Sequence, residues 1–149
     1  MKPETVNYAN ELSPIMQKLM EDSYFVNATI HTLGFLPEAE KPMESLVRIG
    51  EVGVAFVEGI NQSKARQKEI AELVLPPIDA KLHHTKLLMA VQTKQQALEE
   101  YVTYISLLLE VGVGESSFLQ RANDLWRESN QLLEEANAEL LKLYEKMGK

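Results

Sequence analysis

Residues 76–111 have the sequence PPIDAKLHHTKLLMAVQTKQQALEEYVTYISLLLEV, and this stretch decides the fold. Its double proline cannot continue a preceding helix, because proline lacks a backbone N–H and keeps the residue before it extended. After the prolines, a stripe of mostly apolar residues recurs at alternating spacings of three and four, which places its members on one helical face. The stripe contains His84, Leu88, Val91, Gln95, Leu98, Val102, Ile105 and Leu109. We therefore predict a helix over 77–111, which ends before a glycine.

Three other segments show the same spacing, and we predict helices over 3–33, 42–74 and 116–147. In the first, Ser13-Pro14 favours a regular helix that begins near Ser13, because serine caps helices and proline fits the first turn. Residues 4–12 would then form a separate or kinked turn. The last segment has the cleanest heptad pattern of the chain. Its stripe consists of Leu119, Ala122, Trp126, Ser129, Leu133, Ala136, Leu140, Leu143 and Met147.

The second segment is the least regular, because three glycines lie inside it. Its β-branched run could form a strand, but a lone strand leaves its backbone unpaired and no second strand is predicted. As a helix, it has one face that carries Leu46, Gly50, Gly53, Val57 and Ile60. An interior glycine costs about 0.5–1 kcal/mol of helix stability, so these glycines indicate either close helix packing or a gap that admits a ligand. The polar second half, residues 61–72, is expected to run along solvent.

Four amphipathic helices joined by short loops predict an all-α fold, an antiparallel up-down-up-down four-helix bundle in one domain of residues 1–149. Heptad spacing over several turns also favours the coiled-coil-like packing angle of about 20°. A chain of 149 residues is long enough to bury a core without a disulfide or a metal. Because the helices present more apolar surface than one bundle uses, a homodimer is a further expectation.

The composition excludes several classes of protein. The chain has no cysteine, so thiolate nucleophiles, disulfides and Cys-ligated metal centres are ruled out. Its 22 acidic and 15 basic residues give a net charge of −7, which argues against a nucleic-acid-binding face. No apolar run approaches the length of a transmembrane helix, about 20 residues. The amino terminus lacks the apolar core of a signal peptide, so we expect a cytoplasmic protein, or a cell-surface protein whose signal segment was removed.

No pattern of catalytic or metal-ligating residues stands out. A di-iron carboxylate centre needs Glu-x-x-His on two helices, and none of the three histidines has a glutamate three residues before it. Nucleophile-elbow, phosphate-loop and dinucleotide-binding motifs are also missing from the sequence. His83 and His84 point about 100° apart on a helix, so they are not expected to act as a close pair. We predict no catalytic residue, no metal and no cofactor.

Five residues are candidates for a ligand site. Gly50 and Gly53 would face bulky aromatic side chains such as Tyr101 and Trp126 across the bundle, with His84 on the stripe of the third helix. A structural role is the alternative for each, since glycine permits close helix approach and aromatic residues fill cores. A histidine on an apolar stripe is likewise more often a buried, hydrogen-bonded residue than a ligand.

The second half of the chain carries a distinctive order of residues. After the proline break come Leu82-His83-His84, Leu87-Leu88, Ala97, Tyr101 and Gly112. With the Glu/Ala/Leu-rich last helix, residues 73–147 resemble helical domains of bacterial surface lipoproteins. The resemblance implies an extracytoplasmic bundle and transfers no site residues. The lipobox cysteine and signal segment of those proteins are missing from this sequence, which leaves the location open.

The sequence therefore supports three hypotheses on function. The first is a non-catalytic interaction or scaffold module that binds a protein partner or a second copy of itself, in association with a cell envelope. The second is a bundle that binds a small ligand or a metal, as sensor domains do. The third, an enzyme with dispersed acid and base residues, has no motif to support it.

Overall fold

A computed structural model describes residues 3–35, 42–73, 80–111 and 116–147. Four helices fill these ranges: α1 (Pro3–Phe35), α2 (Pro42–Ala71), α3 (Lys81–Val111) and α4 (Ser116–Met147). Within the described ranges there is no strand, and consecutive helices pack on each other. Gly53 of α2 lies beside Ile105 of α3, and Gly59 lies beside Leu98, so these two helices run in opposite directions. The predicted all-α, antiparallel four-helix bundle is confirmed.

The predicted helix bounds can be compared with these ranges. The starts at residues 3, 42 and 116 and the ends at 111 and 147 agree with the structure. α1 continues two residues beyond the predicted end, to Phe35, and α2 ends earlier than predicted, at Ala71. The last turn of α2 closes with a hydrogen bond from Glu72 N to Lys68 O at 3.0 Å. The predicted start of the third helix at Pro77 lies outside the described residues.

The prediction that the first helix begins near Ser13 is wrong. α1 continues through Pro14 without interruption, and Pro14 lies on its exposed side. Proline inside a helix costs about 3 kcal/mol, because one hydrogen bond is lost and the ring crowds the preceding turn. The turns before Pro14 bury Tyr8, Ala9 and Leu12 in the core, and this burial holds them in helical conformation.

The core consists of two apolar clusters, one toward each end of the bundle. The first cluster contains Tyr8, Leu12, Ile15, Leu19, Ile70, Ala80, Leu87, Val91, Ala136, Leu140 and Leu143. The second contains Val26, Leu33, Val52, Phe56, Ala97, Leu98, Tyr101, Ile105, Ala122 and Trp126. Between them every helix contributes at least one buried polar residue. We call this set, which comprises Asp22, Ser63, Lys94 and Ser129, the polar layer.

The face that α2 and α3 turn to the core differs from the prediction. On α2, Leu46 and Val57 are 46% and 45% exposed, while Val52 and Phe56 are buried. On α3 the buried positions run through His83 and Leu87, one residue before the predicted His84 and Leu88. Both helices have apolar residues on several sides, so spacing alone did not fix their rotation. Phe56 and Tyr101 fix it by stacking with ring centroids 4.7 Å apart.

Two other predictions on helix faces can be scored. The stripe of α4 is confirmed, with Ala122, Trp126, Ser129 and Ala136 buried. The expectation that the second half of α2 lies along solvent is wrong in part, since Ser63 and Ile70 are buried there.

Gly59 is expected to resist replacement by alanine. A Cβ at this position would lie 3.2 Å from Leu98 Cδ1 and 3.3 Å from Val26 Cγ2, both in the core. We expect Gly59→Ala to lower the free energy of unfolding by about 1 kcal/mol, because overpacking outweighs the gain in helix propensity. At Gly34 an added Cβ meets no atom of the described chain within 4 Å, so Gly34→Ala should be neutral or stabilising. Urea denaturation of both variants measures the difference, and equal stabilities would contradict the crowding at Gly59.

Candidate functional site

The polar layer brings buried charges together in the middle of the bundle. Asp22 of α1 is 6% exposed, and its carboxylate accepts a hydrogen bond from Arg66 Nε of α2 at 2.9 Å. A second carboxylate, that of Glu69, also accepts from this guanidinium. The two hydrogen bonds raise the pKa of Arg66 against the effect of its partial burial. Arg66 thus donates hydrogen bonds to two carboxylates, and its bond to Asp22 joins α2 to α1.

Lys94 is the unusual member of the polar layer. It is 4% exposed, and its Nζ has no hydrogen-bond partner in the described part of the chain. The ammonium lies 5.8 Å from the centre of the Trp126 ring, within the range of a cation–π contact. Burial lowers the pKa of Lys94 to about 8, and the attraction of Asp22 opposes this change. A buried ammonium without an acceptor is costly, so this layer reduces the stability of the bundle.

A second polar cluster lies near the amino-terminal ends of α1 and α3. The hydroxyl oxygen of Tyr8 is 3.2 Å from Nδ1 of His83 and also 3.2 Å from Nδ1 of His84. Tyr8 and His83 are buried, while His84 is half-buried. Two atoms in this region, Thr5 Oγ1 and His83 Nε2, are buried without a hydrogen-bond partner in the described residues. The cluster is therefore an incompletely satisfied network shared by two helices.

Burial sets the protonation of this cluster. It lowers the pKa of His83 to about 4, with a further decrease from the neighbouring His84 and an opposing effect of Glu139. Burial also lowers the pKa of His84 and raises that of the Tyr8 hydroxyl. All three groups are thus neutral at pH 7.

The structure corrects the expectation that His83 and His84 cannot act together. Their side chains do leave the helix in different directions, but both Nδ1 atoms reach the same hydroxyl because Tyr8 lies between the rings. His83 was not among the candidate residues predicted from the sequence, because His84 was placed on the core stripe. The signal that could have found it is the spacing of four from His83 to Leu87, a core position.

The five predicted ligand-site residues lie in different parts of the bundle. Tyr101 donates a hydrogen bond to Asn123 Oδ1, and Trp126 Nε1 donates to Asn27 Oδ1 at 3.1 Å. These two belong to the second core cluster, whereas His84 contacts Tyr8, which belongs to the first. A Cβ at Gly53 would lie 3.0 Å from Ile105 Cγ2, so that glycine permits close approach of α3.

Gly50 lies in the middle of an exposed apolar surface. An added Cβ there would meet no atom of the described chain within 4 Å. Within two turns of Gly50 lie large apolar side chains that face solvent. They are Leu46, Val47, Val54 and Val57, with exposed fractions of 46%, 61%, 71% and 45%. We call these four residues and Gly50 the α2 apolar face.

A groove adjoins this face on the side of α1. Its volume is about 400 Å³, and its lining is mostly apolar. The walls consist of Phe25, Ala28, Thr29 and Thr32 of α1 and Arg48, Glu51, Val52 and Ala55 of α2. None of the five predicted ligand-site residues lines this groove. Neither Arg48 nor Glu51 forms an ion pair within the described residues.

Comparison with known proteins adds no assignment. Searches against family models, curated proteins and solved structures gave no match. Among the described residues, no group of three or more His, Asp or Glu side chains is arranged to hold a metal ion. None of the four described helices has the length and apolar character needed to cross a membrane. The function therefore has to be argued from the geometry of the chain itself.

Proposed function

We propose that this protein is a helical interaction module that docks a helix on the α2 apolar face, and that this helix is α2 of a second copy of the chain. The observation that carries the proposal is Gly50, which lies at the centre of four exposed apolar side chains and has no neighbour that requires a glycine. Large apolar side chains grouped on a surface are typical of interaction sites.

Gly50 differs from the other interior glycines of α2 in what lies next to it. A glycine in a helix interior costs about 0.5–1 kcal/mol relative to alanine. At Gly59 and Gly53 the close approach of α3 offsets that cost, because a Cβ would crowd Leu98 or Ile105. At Gly50 the rest of the described chain offers no such contact. A second helix that crosses at Gly50 would supply it, since the missing side chain lets two backbones approach closely.

The α2 apolar face can pair with a second copy of itself. In a two-fold interface, residue i of one copy contacts residue j of the other, and j contacts i. An antiparallel crossing of two α2 helices centred between Gly50 and Glu51 places Val47 of one copy against Val54 of the other. Arg48 and Glu51 line the groove beside α1, and Arg48 leaves α2 on the side away from Gly50, so this crossing does not use it.

Replacing Gly50 by glutamine is expected to dissociate the dimer. The glutamine side chain would hold the two helices apart, yet the monomer has room for it because no described atom lies within 4 Å of the new Cβ. Gly34→Gln is the matched control, since that helical glycine also has no neighbour within 4 Å and lies on α1. Sedimentation equilibrium from 1 to about 200 μM should give a dimer for the native chain and Gly34→Gln, and a monomer at least tenfold less prone to associate for Gly50→Gln.

Cross-linking locates the interface independently. The chain has no cysteine, so a single introduced cysteine reacts without competition. Glu51→Cys lies beside the two-fold axis and should form a disulfide-linked dimer under mild oxidation, whereas exposed Arg127→Cys on α4 should not. A native chain that stays monomeric at 200 μM contradicts self-association. A dimer that forms equally well with Gly50→Gln contradicts the α2 apolar face as its interface.

The location of such a module is a separate proposal. The resemblance of residues 73–147 to helical domains of bacterial surface lipoproteins supports a role at a cell envelope. A two-fold dimer presents both copies of each terminus in a symmetric arrangement, which suits a scaffold that holds two attached partners at a fixed separation.

A further inference from the structure

The Tyr8–His83–His84 cluster has a fixed number of protons. Two hydrogen bonds link the Tyr8 oxygen to the two Nδ1 atoms, each at 3.2 Å. The hydroxyl has one proton, so it donates to one histidine and must accept an N–H from the other. One histidine therefore carries its proton on Nδ1, and the other accepts at Nδ1 and carries its proton on Nε2. Either histidine can be the donor, so the neutral cluster satisfies both bonds in two mirror arrangements.

The cluster tolerates one added proton but has no place for a second. If His84 is the donor to Tyr8, an extra proton at its Nε2 leaves both hydrogen bonds intact, and this half-exposed ring can reach water. A proton on His83 has no such solution. In that arrangement His83 already carries its one proton on Nε2, a buried atom without a partner in the described chain, so an added proton goes to Nδ1 and displaces the Tyr8 O–H from its acceptor. Protonation of both rings leaves the Tyr8 proton without an acceptor on α3 and places two positive charges side by side, so the contact between Tyr8 and α3 weakens.

The surroundings of His83 offer little compensation for a positive charge. From α1 it faces Tyr8, and on α3 its neighbour is His84. From α4 the carboxylate of Glu139 favours the charged ring, but it is also paired with Lys142 Nζ at 3.2 Å. Ile70 of α2 and Leu73, which follows that helix, belong to the same core cluster and carry no charge.

We propose that Tyr8, His83 and His84 form an acid-sensitive latch that holds the amino-terminal turns of α1 on α3, so that acidification releases these turns before α3 and α4 separate. Apart from the interaction of His83 with Glu139, described contacts between α3 and α4 do not depend on a histidine. They include the hydrogen bond from Ser129 Oγ to Ala90 O at 3.1 Å and the ion pair of Lys86 with Glu135 at 3.6 Å. Acid that protonates histidine therefore weakens the contact between the amino-terminal turns of α1 and α3, while α3 and α4 stay packed together.

Release would uncover a specific surface. Tyr8, Leu12, Ile15 and Leu19 are the α1 members of the first core cluster. Once they leave, the apolar side chains of that cluster on α3 and α4, which include Leu87, Val91, Leu140 and Leu143, become accessible to another amphipathic helix. This surface is distinct from the α2 apolar face, so the latch does not depend on the proposed dimer.

The size and direction of the effect follow from linkage. Burial lowers the pKa of His83 from 6.5 to about 4, so the released state binds more protons than the seated state between these values. The contribution of His83 to holding the amino-terminal turns of α1 on α3 is therefore fully present above pH 6.5, and it is lost as the pH falls toward 4. At pH 5, His83 alone shifts the equilibrium toward release by about 30-fold relative to pH 7.5, and by about 20-fold relative to pH 7.

Hydrogen exchange followed by mass spectrometry tests this inference between pH 7.5 and 4.5, with rates corrected for the intrinsic effect of pH. We expect protection in peptides from residues 3–20 to fall by about 30-fold from pH 7.5 to 5, while peptides from α3 and α4 keep theirs. His83→Leu should flatten this dependence, because the buried ring can no longer titrate. Tyr8→Phe should lower the protection of residues 3–20 already at pH 7.5.

The control histidine is His31, which lies on the exposed side of α1 outside the cluster. His31→Gln should keep the full pH dependence. If His83→Leu does not fold, the half-buried His84 still permits the test, since His84→Asn should reduce the dependence. Protection of residues 3–20 that does not change with pH would overturn the latch. So would simultaneous loss of protection in α1, α3 and α4, or a pH dependence that survives in both histidine variants.

Discussion

Replacing Lys94 by methionine is expected to raise the free energy of unfolding by about 3 kcal/mol at pH 7. Burial lowers the pKa of Lys94 from 10.5 to about 8, and each pKa unit corresponds to about 1.4 kcal/mol. The ammonium is 4% exposed and has no hydrogen-bond partner in the described chain, so its removal leaves no described acceptor unpaired. Methionine has a similar length and fills the same space without a charge.

The pH dependence provides a second signature of the same residue. Because the pKa of folded Lys94 lies below that of the unfolded chain, the unfolded chain binds the extra proton between about pH 8 and 10.5. Native stability should therefore rise with pH through this window, and Lys94→Met should remove the rise. Urea unfolding at pH 7 and pH 10 measures both effects. Lys142→Met is the control, since Lys142 is exposed, and an equal response of the two variants would refute a buried charge at Lys94.

Replacing Asp22 by asparagine is expected to have the opposite effect, a loss of about 3–5 kcal/mol. The Asp22 carboxylate accepts from Arg66 at 2.9 Å and also attracts the ammonium of Lys94. Asparagine preserves the shape of the side chain, but two cations then share the middle of the bundle with Glu69 as the remaining acid in contact with Arg66. Removing one partner of a buried ion pair leaves an uncompensated charge, which is the source of the large cost.

A double-mutant cycle separates the two cations. In the Lys94→Met background the loss caused by Asp22→Asn should shrink by at least 1 kcal/mol, roughly the scale of coupling between interacting residues. Asp124→Asn is the matched control, because Asp124 pairs with Arg127 at 3.4 Å on the surface and such pairs contribute about 1 kcal/mol or less. Chemical denaturation of the four cycle members gives the coupling. Strictly additive effects would show that Asp22 and Lys94 do not interact.

The sequence predicted the four-helix architecture, but it did not predict every buried face. The helices differ in how clearly apolar and polar residues alternate along them. In α4 most residues that flank the stripe are polar, so spacing fixed the buried face, including Trp126 and Ser129. In α3 the pairs His83-His84 and Leu87-Leu88 fit either of two adjacent stripes, and the choice between them depends on contacts with the other helices. The α2 segment is apolar on several sides, so Phe56 and its stack on Tyr101 decided the rotation.

The same ambiguity hid the charged members of the core. Lys94 lies at helical spacing between Val91 and Leu98, but only if the α3 stripe passes through Leu87. Asp22 follows Leu19 and precedes Val26 at the same spacing. A charged residue at such a position is usually assigned to the surface, because burial requires a partner that the local sequence does not display. The partner, Arg66, is 44 residues away and was assigned to a solvated segment.

The single tryptophan gives the protein an internal optical reporter. Trp126 of α4 is 7% exposed, and its indole N–H donates to Asn27 of α1 at 3.1 Å. This hydrogen bond links α1 and α4 directly, and Trp126 also shares the second core cluster with Val26 and Leu33 of α1. The environment of the indole changes when the carboxyl-terminal half of α1 moves, and its intrinsic fluorescence follows the seating of that helix without any label.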